Sequence, residues 1–120
     1  MISVKHDKLK ISKISEELLN YLLSHGSNDI SINIKEENEF YKVEVISRNT
    51  NITKEELEKI RGKLTIEKHE EIEEYYWCLA GESDVDTELS LVGMMVDRAD
   101  VIYNENGVLE IVLYRNKNDK

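Results

Sequence analysis

The order of apolar patterns along the chain predicts an α/β (α+β) two-layer sandwich: a mixed sheet of about four strands with helices on one face. Three observations predict it. Apolar residues step by three and four over Ile11–Leu23, from Leu57 and from Val85, which is helical spacing. They alternate with polar residues from Ile30, Tyr41, Val101 and Leu109, the period of a half-buried strand. The strand patterns also come as two hairpins separated by helices. The expected order is helix, strand, strand, helix, helix, helix, strand, strand.

Each element has a local reason. Residues Met1 to Lys5 are expected as a short extended arm. In the first helix Ile11, Ile14, Leu18 and Leu22 form one stripe, widened by Leu19 and Leu23, and Gly26 stands where a left-handed stop belongs. Ile30, Ile32 and Ile34 then alternate with Ser31, Asn33 and Lys35. Glu36–Glu39 is a polar turn, and Tyr41, Val43 and Val45 share a face of the second strand. Thr53 with Glu56 is a capping box that starts a helix with Leu57, Ile60 and Leu64 inward. A further helix is expected over Ile66–Ala80, ended by Gly81. In the next, Val85, Leu89, Val92, Val96 and Ala99 line one face. Asn106-Gly107 is a turn signal between the last two strands, and residues 116–120 are a polar tail.

Composition bounds the function. A chain of 120 residues with 40% apolar and 34% charged residues fits one globular domain, 1–120. The net charge of −9 argues against nucleic acid, whose phosphates need clustered Lys and Arg, and against anionic membrane surfaces. The one cysteine, Cys78, allows no intrachain disulfide, and MISVKHDKLK has no apolar signal core. A cytoplasmic protein is the expectation. The sequon Asn51-Ile52-Thr53 carries no weight without a secretory signal.

The first helix carries Glu17, His25 and Gly26, a Glu followed eight and nine residues later by His-Gly. This resembles the histidine-kinase-like ATPase (Bergerat) fold of histidine kinases, DNA gyrase and the anti-sigma-factor serine kinases, the GHKL family. Bacterial anti-sigma kinases are nearest in size. The resemblance implies a Mg²⁺-holding Asn four residues after the Glu, where this chain has Tyr21, with Asn20 one residue early and so turned about 100° around the helix. It implies an adenine-binding Asp-x-Gly-x-Gly after the second strand, where Ser47, Asn49 and Asn51 stand instead. Asn is the non-glycine residue that best tolerates positive φ, so the loop shape is expected to survive. It implies a phosphate-wrapping Gly-x-Gly-Leu, which here reads Glu88-Leu89-Ser90-Leu91.

Losing a charged hydrogen bond costs about 1.5–3 kcal/mol, so three such losses weaken nucleotide binding by roughly three to six orders of magnitude. The chain is therefore identified as a degenerate member: a non-catalytic regulatory or protein-binding module with no cofactor and no metal, Glu17 being vestigial. Two alternatives stand beside it. One is a divergent ATP- and Mg²⁺-dependent protein serine kinase that uses Glu17 and Asn20. The other is an unrelated small α/β interaction protein.

Other residues have structural explanations. Glu17 is expected to be exposed or capping, His25 to meet the helix dipole, and Tyr21 to fill the space a nucleotide left. His69 and Glu73, at i and i+4, lack a third metal ligand, and Asp84, Asp86 and Glu88 lack the Gly and distal Glu of a calcium loop. Tyr75, Tyr76 and Trp77 fall where the family has its mobile lid. Three successive aromatics span about 200° of a helix, so one should reach the surface and offer a partner or self-association contact.

Overall fold

A computed structural model of the protein describes residues 2–65 and 85–117, with side chains described from Asp7 and, after the gap, from Leu89. Helix α1 runs over Ile2–Ser24, followed by strands β1 (Ile30–Glu36) and β2 (Phe40–Ser47) and helix α2 (Lys54–Leu64). Helix α3 (Val85–Met95) and strands β3 (Arg98–Tyr103) and β4 (Leu109–Asn116) complete the order. The expected helix over 66–80, with His69, Glu73, Tyr75, Tyr76, Trp77 and Cys78, lies outside the described residues, as does Asp84.

The sheet has four strands in the order β1-β2-β4-β3, and every neighbouring pair is antiparallel. The expectation of a mixed sheet is corrected. β3 runs in the same direction as β2, but β4 takes the place beside β2, so no parallel pair forms. The described helices lie on one face, as the two-layer reading expects. Tyr41, Val43 and Val45 of β2 and Leu109, Ile111 and Leu113 of β4 face them, and all are buried. Ile14 and Leu18 of α1, Ile60 and Leu64 of α2, and Val92 and Met95 of α3 close the core from the other side.

α1 begins at Ile2, so the extended arm over Met1–Lys5 is also corrected. Among the side chains described before Ile11, the buried ones are Asp7 and Lys10. Arg115, 2% exposed, donates from Nε to Asp7 Oδ1 at 3.2 Å and from Nη1 to the Met95 carbonyl at 2.6 Å. The helix ends as its glycine predicts. Gly26 has φ +91°, Ser27 N–H reaches the Leu22 carbonyl at 3.0 Å and Gly26 N–H the Leu23 carbonyl at 3.1 Å. Together these form a Schellman stop.

The Thr53 capping box forms as expected, with Glu56 N–H donating to Thr53 Oγ1 at 3.1 Å and Thr53 N–H to Glu56 Oε1 at 3.2 Å. α3 ends at Met95, so Ala99 lies on β3 and not on a helix face. Asp97 precedes β3, its N–H bonded to the Tyr114 carbonyl at 2.7 Å and its Oδ2 accepting from Asn116 N–H at 2.6 Å. Ile34, expected inward, is 48% exposed: it lies on the edge strand and faces an open groove shared with Lys8, Ile11, Ser12 and Ser15 of α1.

Candidate functional site

A cleft of about 210 Å³ opens where α1 ends, between its last turn, the loop after β2 and the start of α2. Tyr21, His25 and Gly26 form one wall, Asn49 to Ile52 the second, and Glu56 with Ile60 the third. Each wall has a local cause. The Schellman stop turns the chain out of α1 at Gly26. Asn49 has φ +55°, the one non-glycine residue with positive φ among those described, which bends the loop as its sequence suggested. Tyr103 then fixes the loop: its hydroxyl donates to the Thr50 carbonyl at 2.8 Å and accepts from Ile52 N–H at 3.3 Å. Thr50 N–H is bonded to the Gly107 carbonyl at 2.8 Å. The cleft is therefore preformed.

Tyr21 is 5% exposed and belongs to the hydrophobic core. Its ring lies 4.2 Å from that of His25, centroid to centroid, with 30° between planes. His25 Nδ1 sits 2.9 Å from the Tyr21 carbonyl, which can only accept, so this nitrogen carries the proton. His25 thus caps the helix C-terminus. Ser47 is fully buried and reaches Ser27 Oγ at 3.0 Å and Thr50 Oγ1 at 2.7 Å. Ser27 and Thr50 carry the polar chemistry of the cleft floor. Thr50 lies within the stretch compared with the Asp-x-Gly-x-Gly box, and only its partners in space show its role.

Tyr21, Asn49 and Asn51 are brought together here, with Ser47 directly behind Thr50. The other candidates are elsewhere. Asn20 is exposed and does not line the cleft. Glu88 and Ser90 fall inside helix α3, so the stretch compared with the phosphate-wrapping loop is regular helix. Glu17, expected exposed or capping, is instead 1% exposed. Lys13 Nζ lies 3.1 Å from Glu17 Oε2, but neither Glu17 oxygen has an aligned hydrogen-bond donor among the described residues. Burial pulls the Lys13 pKa down, and the Glu17 and Glu16 carboxylates outweigh it and hold it above the ordinary lysine value.

Among the described residues the cleft lining contains a carboxylate, Glu56, and no Lys or Arg. Its volume falls below the roughly 300–1,000 Å³ usual for ligand sites. Among the described residues no group of three or more His, Cys, Asp or Glu side chains is placed to hold a metal ion. None of the described helices is long and apolar enough to cross a membrane. Neither protein-family models nor curated proteins match the chain.

Proposed function

We propose that the chain is a non-catalytic regulatory or protein-binding module, similar to an anti-sigma-factor kinase ATP-binding domain, in which side chains occupy the nucleotide's place. The observation that carries this reading is Tyr21. At the position where the family holds Mg²⁺ through an Asn, this ring is buried and stacked on His25 at the wall of the cleft. Ser47, at the adenine-binding position, has its hydroxyl engaged by Ser27 and Thr50. A nucleoside triphosphate would bring several negative charges to a lining that, among the described residues, holds Glu56 and no Lys or Arg.

The kinase alternative needs Asn20 in the cleft, and Asn20 is exposed on another face of α1. The reading assigns partner contact, on sequence grounds, to Tyr75, Tyr76 and Trp77, and a cytoplasmic site of action. Calorimetric titration of the full chain with Mg-ATP and Mg-ADP tests it. No binding is expected in the micromolar range; a micromolar dissociation constant for either nucleotide would overturn the reading.

A further inference from the structure

The strands turn one side to the helices, and no described helix packs on the other. Alternation and register define that outer face. Asn33 of β1, Glu44 of β2, Val112 of β4 and Asp100 of β3 lie side by side in one row. The next row along the strands is Lys35, Lys42, Tyr114 and Arg98. Outside these two rows lie Ile46 and Glu110 at one end, Phe40 and Asn116 at the other. Within the paired strands the face carries three cations and three carboxylates, acids toward one end and bases toward the other, in a chain of net charge −9; just past β2, Arg48 pairs with Asp29 and donates to Ser31 at the acidic end.

Two placements on this face are unfavourable for a single copy. Lys35 stands directly opposite Lys42, and like charges at paired positions destabilise a sheet. Glu110 crowds Glu44, and the hydrogen bond between them is the chief reason its carboxyl titrates above the ordinary range. Val112, 8% exposed, is buried yet lies outside the hydrophobic core cluster. Tyr114 stands between Phe40, ring centroids 5.7 Å apart, and the Arg98 guanidinium, 5.4 Å from its ring. Tyr and Arg are the types that anchor interfaces.

We infer that this outer face is a docking surface for a second copy of the chain, packed face to face about a twofold axis running across the strands. Such an axis keeps each strand over its counterpart and reverses the strand direction. Placed between the two central rows, it sets Glu44 over Lys42 of the second copy, Asp100 over Arg98 and Val112 over Tyr114, each contact made twice. Ile46 then meets Phe40, and Lys35 meets Asn33. An axis along the strands would instead lay the acidic row on the acidic row and the basic row on the basic. The small twist between aligned sheets preserves the favourable pairing. The surface is on the opposite side of the sheet from the cleft, so the inference does not depend on what the cleft binds.

Four strands about 4.8 Å apart and about seven residues long give roughly 450 Å² per copy. That is at the weak end of specific interfaces, so a dissociation constant of roughly tens of micromolar is expected. Sedimentation equilibrium of the full chain over a concentration series tests it. K42E sets carboxylate against carboxylate at both contacts with Glu44 and should weaken the dimer by more than about tenfold. K42E/E44K restores opposite charges and should return the constant to within about threefold of the parent chain. R98E with R98E/D100R repeats the test at the edge strand, where Arg98 and Asp100 also pair within one copy at 3.3 Å, should a Lys42 variant fail to fold by circular dichroism. A chain that stays monomeric throughout the series, single variants that leave the constant unchanged, or double variants that do not recover would each overturn the inference.

Discussion

Replacing Asp7 by Asn isolates the contact that ties the first turns of α1 to the last strand. Arg115 and Asp7 are 2% and 5% exposed in their side chains, and the pair joins elements 108 residues apart. The variant keeps side-chain size and an acceptor oxygen but removes the carboxylate charge facing a buried guanidinium. Removing one partner of a buried pair costs about 3–5 kcal/mol, because the remaining charge stays desolvated. Since the amide oxygen can still accept from Nε, the lower figure, about 3 kcal/mol, is expected. Typical domains have only about 5–15 kcal/mol in all, so the melting temperature should fall by roughly 10 °C. Urea denaturation followed by circular dichroism measures the loss. D7L/R115M should lose less than the two single changes summed, since apolar replacement leaves no buried charge. A loss under about 1 kcal/mol for D7N, the scale of an exposed pair, would refute the argument: the pair would then be solvated and the early turns of α1 undocked.

Glu110→Gln tests the crowded carboxyl pair on the outer face. Glu110 titrates above its ordinary value because it shares a hydrogen bond with Glu44, with burial adding to the shift, so the native protein holds this proton more tightly than the unfolded chain. Its stabilising effect is complete at low pH and lost as pH rises through the native value. The glutamine variant should therefore be more stable than the parent at neutral pH, by a fraction of about 1 kcal/mol for a solvated pair, with the difference closing as pH falls; urea midpoints across pH check this. Gly93→Ala and Gly62→Ala should move in opposite directions in the same assay. A Cβ at Gly93 runs into the Lys63 carbonyl and lies 3.2 Å from Leu64 Cα, where α3 crosses α2, a clash worth about 1–3 kcal/mol. A Cβ at Gly62 meets nothing within 4 Å, so there the better helix propensity should stabilise by about 0.5–1 kcal/mol.

What could be read from the chain were the features that near neighbours decide. The Schellman stop at Gly26, the capping box at Thr53 and Glu56, and the positive φ of Asn49 each follow from a few adjacent residues, and each is present. Features set by distant partners could not be read. The first turns of α1 put Asp7 and Lys10 on the buried side, so apolar periodicity stops at Ile11; Asp7 is paired there with Arg115, which no local window contains. Ser47 has the same difficulty, because its hydroxyl is satisfied by Ser27 from the far side of a hairpin. Glu17 reads as a surface residue by type and is buried all the same. Strand order is a further choice beyond local reach: either β3 or β4 can sit beside β2 with the same sequence pattern, and only β4 there makes the sheet antiparallel throughout. The outer face follows from that choice. Lys42, Glu44, Asp100 and Arg98 read one by one as ordinary solvated charges. The register places them in two facing rows of opposite sign, and β3 at the edge beside β4 puts Asp100 and Arg98 in line with Glu44 and Lys42. About an axis across the strands each strand meets its own counterpart, so the pattern rests on this register, which brings Asp100 level with Glu44 and Arg98 level with Lys42 through Val112 and Tyr114 of β4.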